Sequence, residues 1–314
     1  MKGEIQMYKK PKKLAAGDTV GIIAPASPPD QMNLLSGIEY LKQLGLKVKL
    51  GKHVFEEKGY LAGNDRDRAE DVNAMFQDPE VQAIVSACGG YGTGRIASLL
   101  DYELIGENPK IFWGYSDLTF LHTSIRQKSG LITFHGPMVA SDMGKDKWSE
   151  QSSAYFKQLF HSEAIVYDES ISSIEAAYPG YAKGELVGGN LCLLVSTLGT
   201  DYEIDTKGKL LFFEDINEEP RNIDRMLNQL WMAGKLEDVQ GIVLGDFQNC
   251  EPGDRAKTRS LDEVLDEYIQ RIGKPALKGL KMGHCSPHIG MPLGTIAEMD
   301  TSERKLVIES GISD

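Results

Sequence analysis

The sequence predicts an α/β protein, with a mostly parallel, doubly wound sheet in its first half and a smaller, mixed, barrel-like domain in its second. Three observations carry this. Apolar β-type runs alternate with amphipathic helical patterns through the first half, which implies βαβ crossovers. Polar, irregular stretches near 141–153 and 168–180 then interrupt the pattern and place a boundary between about 140 and 182. Finally, the chain has 314 residues, and at roughly 100–200 residues per domain that gives room for two.

Each element has its own signal. TVGIIAP (19–25) reads as a buried strand that ends at Pro25 and the turn-rich SPPD. From Asp30, the apolar positions Leu34, Ile38, Leu41 and Leu44 recur at helical spacing, and Gly45 supplies a stop. LKVKL (46–50) is the next strand, and DRDRAEDVNAMFQDP places Ala69, Val72 and Phe76 on one helical face before Pro79. VQAIVSA (81–87) is a continuous apolar strand running into CGGYGTG, with a short helical stretch near Ile96 to Leu100. KIFWG (110–114), a helix from about Asp117 to Lys128, and LITFHGP complete the first half. In the second half KGELVGGN, KLLFFED, VQGIVLGDF and LKGLKMGH read as strands. RNIDRMLNQLWMAG, with Ile223, Met226, Leu227 and Leu230 on one face, and SLDEVLDEYIQRIG read as helices. TIAEMDTSERKLVIE reads as two strands around a tight turn.

Composition limits the function. Lys and Arg number 34 against 46 Asp and Glu, a formal charge of −12, which argues against coating a polyanion. No run approaches the ~18 apolar residues of a membrane span, and the basic start MKGEIQMYKKPKK lacks the apolar region of a secretory signal. Cys88, Cys192, Cys250 and Cys285 show no CxxC spacing, which fits a reduced cytoplasmic protein without a disulfide framework or zinc ribbon. Small substrates remain open.

In open α/β sheets, ligands sit beyond the carboxyl ends of the strands, so polar residues that follow apolar strands are the candidates. Ser116 follows KIFWGY, Glu214 and Asp215 follow KLLFF, and His284 follows LKGLKMG. A hydroxyl, a carboxylate and an imidazole are what acyl transfer needs: the imidazole takes the hydroxyl proton, and the carboxylate fixes the imidazole tautomer. The glycines of Cys88-Gly89-Gly90-Tyr91-Gly92 would let backbone N–H groups approach a developing oxyanion. Each residue also has a bland reading. Ser116 sits where a helix N-cap belongs, and Gly114-Tyr115-Ser116-Asp117-Leu118 meets only half of the G-x-S-x-G elbow. Glu214 and Asp215 could be solvated strand-end charges, His284 a structural histidine, and the glycines a turn; His122, His135 and His288 compete for the base role. Other motifs fail. GGYGTGR has Arg95 and Ile96 where a P-loop needs Lys and Ser or Thr, and it lacks the third glycine of G-x-G-x-x-G. His284-Cys285-Ser286-Pro287-His288 does not match a zinc helix.

At these residues the sequence resembles the LD-carboxypeptidase family, which includes muramoyl-tetrapeptide carboxypeptidases and microcin C immunity peptidases. The resemblance rests on GDTVGIIAPAS (17–27), GYLAGNDRDRAEDVNAMF (59–76), GGYGTGR (89–95), IFWGYSDLT (111–119), FHGPM (134–138), GELVGGNLCLLVSTLGT (184–200), FFEDINEEP (212–220) with IDRMLNQL (223–230), GDFQNC (245–250), and Gly283-His284 with MPLGTIAEMD (291–300). It implies a Rossmann-like domain over 1–160 carrying the nucleophile and oxyanion loop, and a β-rich swivelling domain over 181–314 carrying the acid and the histidine. The implied catalytic residues are Ser116, Glu214 and His284, with backbone amides of Gly90 and Asp117 as the oxyanion hole. It also implies a small peptide substrate (a murein tetrapeptide, or a peptidyl nucleotide), a cytoplasmic homodimer, and no metal or other cofactor. One position departs: Cys88 stands where members usually carry Arg before the GGYG motif, which bears on substrate preference.

Overall fold

A computed structural model describes residues 8–146, 148–253 and 257–314. In chain order the first half contains β1 (Thr19–Ile23), α1 (Gln31–Gln43), β2 (Lys47–Leu50), α2 (Asp65–Gln77), β3 (Val81–Ser86), α3 (Thr93–Ile96), α4 (Tyr102–Glu107), β4 (Ile111–Gly114), α5 (Thr119–Ser129), β5 (Thr133–His135) and α6 (Glu150–Phe156). Then follow β6 (Ile165–Tyr167), β7 (Glu175–Tyr178), β8 (Tyr181–Asn190), α7 (Leu191–Ser196), β9 (Leu210–Ile216), α8 (Pro220–Met232), β10 (Gly241–Gln248), α9 (Leu261–Ile272) and β11 (Ala276–Lys278). The chain ends with β12 (Met291–Leu293), β13 (Ile296–Asp300) and β14 (Lys305–Ile308).

Two compact units result. One runs through Glu163 and takes in Gly290–Gly294 and Ser310–Asp314; the other comprises Ala164–Ile289 and Thr295–Glu309. The resemblance places 181–314 in the second domain. The two C-terminal segments belong instead to the first unit, because β12 pairs antiparallel with β5 through Met291 and His135.

The first unit is built on a six-stranded sheet of order β12-β5-β4-β3-β1-β2. All pairs but β12–β5 are parallel, as the alternating pattern requires. Buried on both faces, these strands read as continuous apolar runs: Val20, Ile22, Ala83, Val85, Ile111 and Trp113 belong to one core cluster. Helix α1 starts at Asp30, whose Oδ1 accepts the Asn33 N–H at 2.8 Å, and buries Leu34, Ile38 and Leu41 against that core. Strand order reverses between β1 and β3, and that reversal is where an open α/β sheet leaves a crevice beyond its strand ends. The segments leaving those two strands, Ala24–Ser27 and Ala87–Gly92, are therefore the ones that frame a site.

The second unit carries an eight-stranded mixed sheet, β6-β14-β13-β8-β9-β10-β11-β7. Strands β8 to β11 run parallel, and antiparallel strands flank them. Among the described residues the ladder runs from edge β6 to edge β7, so the sheet is open where the sequence suggested a barrel. Helix α8 buries Ile223, Met226, Leu227 and Leu230, each stabilising the fold by roughly 1.5–3 kcal/mol through apolar burial. The capping box Ser260–Glu263 starts α9, with Ser260 N–H on Glu263 Oε2 at 2.8 Å, and left-handed Gly273 ends it.

Candidate active site

Ser116 lies one residue beyond β4 and opens a single 3₁₀ turn, Ser116–Leu118, that leads into α5. Its φ is +63°. An N-cap needs extended backbone, so the capping reading fails and a strained strand-to-helix elbow replaces it. Gly114 makes the elbow possible: a Cβ there would lie 2.2 Å from Leu118 Cδ2 and 3.2 Å from Ser86 Cβ. The place of the second glycine of the G-x-S-x-G pattern is taken by Leu118, buried and clustered with Tyr115 and Met138.

The glycine loop comes to this serine. A Cβ on Gly89 would sit 3.1 Å from Ser116 Cβ and 3.3 Å from Ser116 Oγ. The loop is held along its length. Gly92 carbonyl accepts from Arg68 Nη1 at 2.9 Å, while Arg68 Nη2 meets Asp65 Oδ1 at 2.5 Å, so this buried guanidinium is compensated. Thr93 N–H donates to Asp117 Oδ2 at 2.8 Å, and Thr93 Oγ1 donates to the Asp117 carbonyl at 2.5 Å. Burial pushes the Asp117 carboxyl up to about 6, against the opposing pull of the Thr93 N–H bond and Arg68. Cys88 is a neutral thiol: burial, helped by the Asp117 charge, pushes it up to about 12, and its Sγ donates to the Ser27 carbonyl at 3.0 Å. It supplies no positive charge to the glycine loop.

In the other unit, Glu214 is the fifth residue of β9 and is 0% exposed. Its Oε2 lies 2.7 Å from His284 Nδ1. The solvated-charge reading of Glu214 and Asp215 is thus wrong for both. Asp215 is buried too, taking Asn190 Nδ2 and Cys192 N–H at 3.0 Å each. Burial, with help from the Glu214 charge, pushes its carboxyl up to about 6. His284 does not directly follow a strand. Strand β11 stops at Lys278, and the chain turns at Gly279 (φ +90°), where a Cβ would strike the Ser173 carbonyl at 2.4 Å. His284 instead rides on an excursion from Lys281 to Ile289, closed by the Ile289 N–H on the Lys281 carbonyl at 2.8 Å. Gly283 (φ +115°) lets this backbone pass over the acid, since a Cβ there would sit 2.6 Å from Glu214 Oε2. Asp246 N–H binds the Met282 carbonyl at 2.9 Å, and Lys281 Nζ pairs with Asp246 Oδ1 at 2.9 Å.

The competing histidines have other positions. His122, on α5, sits with Nε2 2.8 Å from the Gly114 carbonyl, and burial pushes it down to about 3. His135 is buried in β5 and packs edge-on against Tyr115, ring centroids 5.7 Å apart. His288 is buried in the Lys281–Ile289 excursion. So the first unit brings Ser116, Gly89, Gly90 and Asp117 together, and the second joins His284 to Glu214. Ser27, Thr93 and Arg68, which hydrogen-bond to the glycine loop or the elbow, escaped the sequence reading. Their contacts with the glycine loop and the Ser116 elbow span 24 positions for Arg68–Gly92 and Thr93–Asp117 and 64 for Ser27–Tyr91, so no local spacing announces them.

Comparison with known proteins shows the family to which the chain belongs. The LD-carboxypeptidase N-terminal domain model matches residues 20–136, and the C-terminal domain model matches residues 183–299. A probable murein peptide carboxypeptidase of Bacillus subtilis is 56% identical over 314 residues, covering 100% of this chain and 98% of that protein. The Escherichia coli microcin C7 self-immunity protein MccF is 29% identical, covering 94% of each. A solved structure of MccF with glutamyl sulfamoyl guanosine superposes with a TM-score of 0.89 at 25% identity, over 97% of this chain and 99% of that one. The muramoyltetrapeptide carboxypeptidase of Oxalobacter formigenes gives a TM-score of 0.85 at 28% identity, over 94% of this chain and 100% of that one. Matched along both domain models and along its whole length, this chain belongs to the LD-carboxypeptidase family and is a peptidase.

Proposed function

We propose that the protein is a serine LD-carboxypeptidase that releases the terminal D-Ala of murein tetrapeptides through an acyl-enzyme. The observation that carries this is the left-handed turn at Ser116, packed against the glycine loop. Ser116 Oγ attacks the carbonyl carbon of the L-configured centre (meso-diaminopimelate or L-Lys), and His284 takes its proton. Because Nδ1 of His284 is engaged by Glu214, the transferring nitrogen is Nε2. Glu214 holds the ring in that tautomer and stabilises the imidazolium. The Gly90 and Asp117 N–H groups take the charge of the tetrahedral intermediate. On collapse, His284 returns the proton to the departing D-Ala amine; water, deprotonated by the same imidazole, then hydrolyses the Ser116 ester.

A tetrapeptide phosphonate tests the assignment. Mass spectrometry is expected to find one adduct, on Ser116, in the wild type and a labelling rate at least about 100-fold lower in His284→Ala. An adduct on another residue would sink the proposal. The family resemblance further supports a cytoplasmic homodimer acting in murein recycling; sedimentation of the pure protein as a monomer at micromolar concentration would refute the dimer.

A second reading keeps the chemistry and changes the substrate to peptidyl or aminoacyl nucleotides. It is favoured by the neutral Cys88 and by the likeness to MccF. A side-by-side assay of the tetrapeptide and an aminoacyl sulfamoyl adenylate separates the two, and turnover of the tetrapeptide alone eliminates the second.

A further inference from the structure

We propose that Ser27 is a positioning residue that latches the glycine loop with the Gly90 N–H turned to receive the oxyanion. The inference rests on the catalytic reading above and adds to it a residue that acts through the glycine loop.

Ser27 makes a set of contacts that share one consequence. Its N–H donates to the Gly89 carbonyl at 3.2 Å. Its Oγ accepts the Tyr91 N–H at 3.2 Å and donates to the Tyr60 carbonyl at 2.7 Å. In a trans peptide the C=O and N–H point in opposite directions. Drawing the Gly89 carbonyl toward Ser27 therefore turns the Gly90 N–H away from Ser27. Drawing the Tyr91 N–H toward Ser27 likewise turns the Gly90 carbonyl away. Both peptide planes that flank Gly90 are thus set by one residue.

They need setting. Gly90, at φ +109°, and Gly89 have little steric preference between peptide orientations. A flipped Gly89–Gly90 plane would present a carbonyl oxygen to a developing negative charge. A glycine is also obligatory for the latch itself, because a Cβ at residue 90 would lie 2.1 Å from Ser27 Oγ. Ser27 is in turn immobilised. Pro28 restricts the residue before it to extended backbone, and Cys88 Sγ donates to the Ser27 carbonyl at 3.0 Å. Cys88, the departure from the family pattern, thereby serves the latch as a small neutral donor. Strand geometry brings the parts together: Ile23 of β1 is in register with Ser86 of β3, so the two outgoing segments leave side by side.

The test compares D-Ala release by wild type, Ser27→Ala, Ser27→Thr, Cys88→Ala and Ser116→Ala. Losing one oxyanion donor lowers kcat by about 100- to 1,000-fold. Loosening its orientation by removing the Ser27 hydroxyl is expected to lower kcat about 10-fold, with KM within about two-fold. A peptide aldehyde, which binds as a tetrahedral adduct, should lose affinity by about the same factor as kcat/KM. Ser27→Thr, which keeps the hydroxyl, should recover most of kcat, and Cys88→Ala should show a smaller loss of the same kind. Wild-type kcat in Ser27→Ala would overturn the latch, as would a loss confined to KM or one matched by a lowered Tm. Undiminished release by Ser116→Ala would instead overturn the catalytic reading on which the latch depends.

Discussion

At the residue scale, two buried carboxylates, one in each unit, do different work. Glu214 faces His284 at 2.7 Å, whereas Asp117 anchors the loop through the Thr93 N–H. Replacing Glu214 by Gln keeps the shape but loses the charge that supports the imidazolium, and an expected fall in kcat of about 100- to 10,000-fold would be read from initial rates of D-Ala release. Asp117 allows a thermodynamic check. Its folded value, about 6, lies above the ordinary 3.8, so between those values the folded state binds more protons than the unfolded one. Stability from this group therefore rises as pH falls through about 6 and levels off near 3.8. The facing groups are the Arg68 guanidinium, the Thr93 and Gly92 backbone and the Cys88 thiol, which at about 12 stays neutral across that window. Asp117→Asn lacks the proton-linked gain. Its destabilisation relative to wild type, measured by urea unfolding, should be larger at about pH 5 than at about pH 7; an equal difference at both would place the Asp117 carboxyl outside that window. The sequence marked Ser116 as a polar residue after a strand but gave no sign of its left-handed backbone. It offered Ser27 only as a residue in a Pro-rich turn, because the contacts that give it meaning are to Tyr60 and the glycine loop.

At the element scale, two glycines decide whether the functional side chains can be where they are. Gly114 lets β4 turn into the Ser116 elbow, and Gly283 lets the His284 excursion cross Glu214. Gly283→Ala combines a left-handed backbone with a Cβ 2.6 Å from Glu214 Oε2, while Gly199→Ala at φ +74° meets nothing within 4 Å. Both variants bear backbone strain of about 1–3 kcal/mol. Only Gly283→Ala should also lose D-Ala release, by about 10-fold or more, and equal activity in the two would show that the close passage is unimportant. Long elements were legible because periodicity had room to repeat: α1, α2, α8 and α9 each run 12 or 13 residues. Short ones were not. Strand β7, of 4 residues, and the start of helix α6, of 7, lie in stretches that read as irregular, and β6, of 3, between those stretches drew no assignment, since so few residues cannot establish a period. The run LKGLKMGH read as one strand because its apolar residues outweigh Gly279, whose turn separates β11 from the histidine.

At the scale of the whole molecule, the sequence supplied the class of each half but not the path of the chain. A break between about 140 and 182 was visible in composition, and the units divide between Glu163 and Ala164. The return of Gly290–Gly294 and Ser310–Asp314 to the first unit had no signal, because it is set by pairing with β5 and by Gly311 packing on Pro292 and Phe134. The net charge of −12 makes a prediction of its own. A murein tetrapeptide is itself anionic, so the mean field opposes its approach, and Cys88 contributes no compensating charge. Raising ionic strength from about 10 to about 150 mM shortens the Debye length to about 8 Å and should raise kcat/KM several-fold. A fall with salt would indicate a local cationic site that outweighs the overall charge. The central claim, that Ser116 is the nucleophile of a D-Ala-releasing peptidase, is tested most directly by one comparison. Release of D-Ala from L-Ala-γ-D-Glu-meso-diaminopimelate-D-Ala should be readily measured for the wild type and lowered at least about 1,000-fold in folded Ser116→Ala, whereas equal rates from the two proteins would contradict it.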